Sequence, residues 1–206
     1  MEIKVPTSWD DVTVNQFQAL SQMNREQYKT DLSYTVSVIQ ILCNIDSAID
    51  LPLKAITDIA PHIDFLKDEP TKVKHDKVFI DNVCYEWIPS FNSMTVGEAI
   101  SIELPIDIEE LTFALSYDVV LAVMLREEGS KFDSNKFQEN RDKFGSLPIT
   151  EVLGQLLFFL NGGQTSTAHM GSYSIRPIAK RIIRTRRKPL RRLLDKIKKK
   201  VGIING

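Results

Sequence analysis

Ten cationic side chains crowd one stretch of this chain: Arg184, Arg186, Arg187, Lys188, Arg191, Arg192, Lys196, Lys198, Lys199 and Lys200. Groups of this type at this density do one kind of chemistry well. They hold oxyanions, either nucleic-acid phosphates or the carboxylates of an acidic protein surface, by charge and short-range hydrogen bonds. From Arg176 to Lys200 lie thirteen of the 26 Lys/Arg and one acid, Asp195, so this segment carries +12. The rest holds 26 of the 27 acids and carries −13, which the total of −1 hides. An acidic body with a strongly basic segment is the pattern of an interaction module rather than a pocket enzyme.

Catalytic chemistry finds little to work with. The histidines are His62, His75 and His169. His62 stands between Asp58 and Asp64, but no second histidine follows at i+4, so a surface helix end is expected rather than a metal site. Gly162-Gly163 lacks the Lys-Ser/Thr of a phosphate-binding loop and reads as a helix stop. Asp118 sits among apolar residues, where facing a polar seam or pairing with a Lys/Arg of another helix is expected ahead of proton relay. Trp9 and Trp87 belong to no aromatic-and-basic alternation, so packing is expected rather than base stacking. No catalytic residue, metal ligand or cofactor site is assigned, and a non-enzyme is expected.

Composition sets the class. Hydrophobic residues make up 43% and charged residues 26% of 206, ordinary values for one globular core with a small appendage. The opening residues lack the apolar run of a signal peptide, and the apolar stretches 113–125 and 152–160 are too short or interrupted to span a bilayer. Cys43 and Cys84 have no CxxC spacing and are expected as buried free thiols. These readings point to an intracellular soluble protein.

The elements that must position these groups read as mainly α. Thr13–Gln16 has capping-box spacing and predicts a helix over 14–22 with Phe17 and Leu20 inward. Asp31 is expected to cap a helix over 32–43, with Leu32, Val36, Ile39 and Leu42 on one stripe that Tyr34, Val38 and Ile41 widen, so this helix is expected to be central. One or two short helices are expected in 49–65, cut by Pro52 and Pro61. Two runs rich in β-branched and aromatic residues, joined by Asp81-Asn82, predict a hairpin over 77–88. A second capping box, Thr95–Glu98, starts a helix over 96–103 with Met94 as its staple. The longest helix is expected over 109–127, a polar one over 134–144 and an apolar one over 149–160.

The domain reading is a helical acidic body, 1–163, a linker, 164–174, and a basic amphipathic helical tail, 175–206. In the tail, Leu190, Leu193, Leu194, Ile197 and Val201 recur at helical spacing and form an apolar docking face. Three partners fit it: DNA or other nucleic acid, a membrane surface, or acidic protein. The apolar face lacks Trp and Phe, which disfavours the membrane. Docking of the tail on the acidic body of a neighbouring copy forms a head-to-tail contact, which closes into a ring when the rotation allows.

The run Trp9-Asp10-Asp11-Val12-Thr13-Val14-Asn15-Gln16-Phe17-Gln18-Ala19-Leu20 resembles openings of small structural or assembly proteins of tailed bacteriophages. So do Met94-Thr95-Val96-Gly97-Glu98-Ala99-Ile100-Ser101-Ile102-Glu103 and the apolar helix ending Met124-Leu125-Arg126-Glu127. Arg141-Asp142-Lys143-Phe144-Gly145-Ser146-Leu147-Pro148-Ile149 and Phe159-Leu160-Asn161-Gly162 continue the likeness, which spans residues 9–162 and leaves the basic tail outside. The layout is similar to that of neck, ring, tail or tail-chaperone proteins, crAss-like phages of gut bacteria among their sources. The resemblance implies a non-enzymatic virion component made in the host bacterial cytoplasm, present in several copies and in contact with other virion proteins.

Overall fold

The computed structural model describes residues 3–89, 93–103 and 117–162, with side chains through Phe158 in the last helix. Within these residues the chain is mainly helical with a small three-stranded antiparallel sheet. The helices are α1 (Val14–Gln22), α2 (Asp31–Cys43), α3 (Leu53–Ile59), α4 (Val96–Glu103), α5 (Tyr117–Met124), α6 (Phe137–Gly145) and α7 (Ile149–Gly162). The strands are β1 (Lys77–Ile80), β2 (Val83–Trp87) and β3 (Leu125–Glu127).

Helix starts follow the caps. The Thr13 hydroxyl accepts from Gln16 N at 3.2 Å while Gln16 Oε1 accepts from Thr13 N at 2.8 Å, closing the expected box at α1. Phe17 and Leu20 turn inward as expected. At α2 the cap is Thr30, not Asp31, because the Thr30 hydroxyl is the one that receives the Ser33 N–H. The buried face of α2 falls within the expected wide stripe except at its Leu32 edge. Tyr34, Thr35, Val38, Ile39 and Leu42 are buried, whereas Leu32 is exposed. Tyr34 packs edge-on to Tyr28.

The hairpin forms where the composition places it. Asp81 and Asn82 both have positive φ, 49° and 65°, as a two-residue turn matching strand twist requires. Val78 pairs with Tyr85, and Trp87 with Leu125, giving one buried face. The third strand corrects the expected long helix. Residues 104–116 lie outside those described; α5 ends at Met124, and residues 125–127 are extended. The ladder captures them: Ile88 N donates to Met124 O at 2.9 Å and Glu128 N to Cys84 O at 2.9 Å. Those backbone bonds, made to residues distant in sequence, win over helix continuation.

The core sits between α5, the sheet and the flanking helices. Every residue of α5 is buried. Phe144 of α6 is fully buried against Tyr85 of β2, rings edge-on at 5.2 Å; a Phe→Ala truncation at such a site costs about 3–5 kcal/mol. The two ends of the body meet at an isolated bridge, with Val14 N to Leu147 O at 2.9 Å and Ile149 N to Val12 O at 2.8 Å. Trp9 packs edge-on to Phe17 and Phe65 and donates its indole N–H to Asp68 O at 3.1 Å. Trp87 is also buried, so both tryptophans pack in the core. Of the two free thiols, Cys43 is buried, but Cys84, on the outer face of the sheet, is only half-buried.

Candidate functional site

Charged groups that reach the interior come in pairs, and the elements explain how. Asp118 lies at the first turn of α5, where a carboxylate meets the positive end of the helix dipole. The backbone N–H of Tyr117 donates to Gln18 Oε1 of α1 at 2.8 Å. Arg141 of α6 donates from Nε and Nη2 to Asp118 Oδ2 at 2.8 and 2.7 Å. The Arg141 guanidinium also lies 6.0 Å from the Phe137 ring centroid. The expectation that Asp118 pairs with a basic residue of another helix is met. Its other oxygen, Oδ1, is buried without a hydrogen-bond partner.

A second pair ties α4 to the sheet. Glu98 Oε2 accepts from Thr95 N at 2.5 Å, completing the capping box, while Oε1 accepts from Arg126 Nη2 of β3 at 2.5 Å. The Glu98 side chain is only 1% exposed. A third contact joins α6 to β2: Lys143 Nζ donates to Tyr85 Oη at 3.1 Å, and this bond raises the Lys143 pKa above its usual value.

On the outer sheet face, Lys77 pairs with Glu128 at 2.5 Å. The hydrogen bond from Lys77 lowers the Glu128 pKa and raises that of Lys77. The neighbouring Cys84 thiol is pushed up, first by burial and then by its hydrogen bond to Glu128. Near the N-terminus, the Thr7 backbone N–H donates to Asp11 Oδ2 at 2.9 Å and holds that carboxyl below its usual range. The Asp118–Arg141, Glu98–Arg126 and Lys77–Glu128 pairs each set a cation against an anion from a different part of the chain.

His62 is exposed at the start of a 3-10 turn, His62–Lys67, as expected for a helix end. Among the described residues no group of three His, Cys, Asp or Glu is arranged to hold a metal ion. Among them, too, no helix is long and apolar enough to cross a membrane. No protein-family profile, curated protein or solved structure matches the chain.

The basic residues Arg184, Arg186, Arg187, Lys188, Arg191, Arg192, Lys196 and Lys198–Lys200 lie outside the described residues. So do the apolar docking face from Leu190 to Val201, the linker and the whole expected tail. What the described body contributes is the other half of the charge split. Between Asn44 and Pro70 stand six acids and two lysines. Lys67 is already paired with Asp64, while Asp46, Asp50, Asp58, Asp68 and Glu69 are exposed. Sequence reading placed the excess acid in the body as a whole but missed this concentration, although a local charge count finds it.

Proposed function

We propose that this chain is a non-enzymatic structural protein of a tailed-phage particle, part of a multi-subunit neck or tail ring joined by its basic segment. The charge split carries this reading: +12 between Arg176 and Lys200 against −13 elsewhere. Opposite charges on two parts of one chain favour association between copies, and a head-to-tail contact repeats until the ring closes. The resemblance of residues 9–162 to phage structural and assembly proteins supports the same assignment. The protein is then made in the host cytoplasm and ends in the virion. A tail-assembly chaperone shares this layout but is absent from finished particles, so proteomics of purified particles separates the two.

A second reading rests on the same segment, whose Arg-rich run from Arg184 to Arg192 suits phosphate contacts. It makes the chain a nucleic-acid-binding protein. Light-scattering mass across a gel-filtration peak, with the 260/280 nm ratio, decides. A nuclease-resistant multimer with a protein-like ratio supports the ring. A monomer eluting with nucleic acid, and releasing it as salt rises, overturns the ring in favour of the second reading.

A further inference from the structure

We propose that the Leu190–Val201 segment docks on the stretch Asp46–Asp58, where exposed Ile49 and Leu53 stand among three exposed aspartates. This rests on the reading of the basic segment as a strap between subunits and names the surface that receives it. Ile49 is 81% exposed and Leu53 64%. Ile49 stands in the turn closed by Leu51 N to Ala48 O at 3.2 Å, and Leu53 opens α3 directly after it. Exposed Asp46, Asp50 and Asp58 flank them in sequence, and Asp50 Oδ2 is positioned by the Ser47 hydroxyl at 2.9 Å.

The incoming segment has the opposite pattern. At helical spacing Leu190, Leu193, Leu194 and Ile197 share one stripe, with Arg191, Lys196 and Lys198 on its flanks. Aliphatic side chains meet aliphatic side chains, and the basic rim meets the acidic rim.

The other exposed apolar side chains lack that complement: Leu32 follows Asp31, whose carboxylate already pairs with Arg25, and Val73 lies between Lys72 and Lys74. Val96 and Ile100 share a face of α4, but the acid between them, Glu98, turns inward to Arg126. Phe79 lies on the sheet face that carries the Lys77–Glu128 pair. Phe158 already has the Lys74 ammonium 4.1 Å from its ring centroid. Charge complementarity therefore selects the patch at Ile49 and Leu53. The 27 residues between Gly162 and Leu190 reach roughly 90 Å when extended, enough for a neighbouring copy.

The test is zero-length carbodiimide cross-linking of the nuclease-treated full-length chain, using equal parts of ¹⁴N- and ¹⁵N-labelled protein. Links from Lys196 or Lys198–Lys200 should concentrate on Asp46, Asp50 and Asp58 and join differently labelled copies. Ile49→Ser with Leu53→Ser should cut those links about tenfold, with the urea midpoint unchanged because both side chains are exposed. Links spread evenly over the body's carboxylates, or unaffected by the serine variant, overturn the patch. If such links still join different copies of a multimer, the strap reading survives without it. Links to the patch confined to one label, in a monomer, keep the patch and overturn the ring.

Discussion

Arg141 holds Asp118 through a single oxygen: Nε and Nη2 both donate to Oδ2, at 2.8 and 2.7 Å, while Oδ1 is buried without a hydrogen-bond partner. One carboxylate, 7% exposed at the start of α5, thereby ties α5 to α6. The arrangement is asymmetric in energy. The arginine is partly solvated, with 32% of its side chain exposed, and the aspartate is not.

Removing the arginine should therefore hurt more than removing the pair. Arg141→Met strands the buried carboxylate and should cost about 2–3 kcal/mol, below the full cost of breaking a buried pair because Arg141 is partly exposed. Asp118→Leu combined with Arg141→Met should recover at least about half of that loss. Urea unfolding monitored by circular dichroism measures both. Equal stability of the single and double variants would show that the pair contributes shape rather than charge.

Glu98 does two jobs, and two substitutions separate them. Glu98→Gln keeps an acceptor for Thr95 N but loses the ion pair, and should cost about 1–2 kcal/mol. Glu98→Ala also removes the cap and leaves the Arg126 guanidinium unpaired, and should cost about 3–4 kcal/mol. Denaturant midpoints of the two variants should differ in that order, and reversal would place Glu98 outside the stability of α4.

The Cys84 thiol should answer to Glu128 and Lys77 in opposite directions. Its pKa is raised by burial and by Glu128 and lowered by Lys77, so at pH 8 little of it is thiolate. Glu128→Gln removes a raising influence, so the thiolate fraction grows and reaction with a disulfide reagent should speed up about threefold. Lys77→Met removes a lowering influence and should slow it. Stopped-flow rates in a Cys43→Ala background give the sign, and parallel changes in both variants would point to altered access instead.

Gly154 should resist a substitution that usually helps. In an exposed helix interior Gly→Ala gains about 1 kcal/mol. Here a Cβ at position 154 of α7 runs into the backbone carbonyl of Val73, and backbone cannot swing aside as a side chain can. Overpacking of about 1–3 kcal/mol should outweigh the gain, so Gly154→Ala should lower the melting temperature. A raised melting temperature would mean that the 72–74 segment yields without cost.

What the sequence determined by itself is local. The boxes Thr13–Gln16 and Thr95–Glu98 mark the starts of α1 and α4 because hydroxyl, acceptor and both amides lie within one turn. Asp81-Asn82 marks the hairpin because only a few residue types accept positive φ twice running. The separation of an acidic body from a basic segment is legible too, since charge is counted without a fold.

The tertiary structure alone decided whatever depends on partners far along the chain. Leu125–Glu127 continues an apolar helical pattern, yet becomes β3 because Trp87 and Tyr85 supply a ladder. Nothing in sequence pairs Asp118 with Arg141, Arg126 with Glu98, or the amide at Tyr117 with Gln18 across 99 positions. Which edge of the wide α2 stripe is left out was likewise settled by the fold: Tyr34 is buried and Leu32 is exposed. Local hydrogen bonds are chosen by neighbours in sequence; buried charges and strand edges take whichever partner the packed core brings within reach.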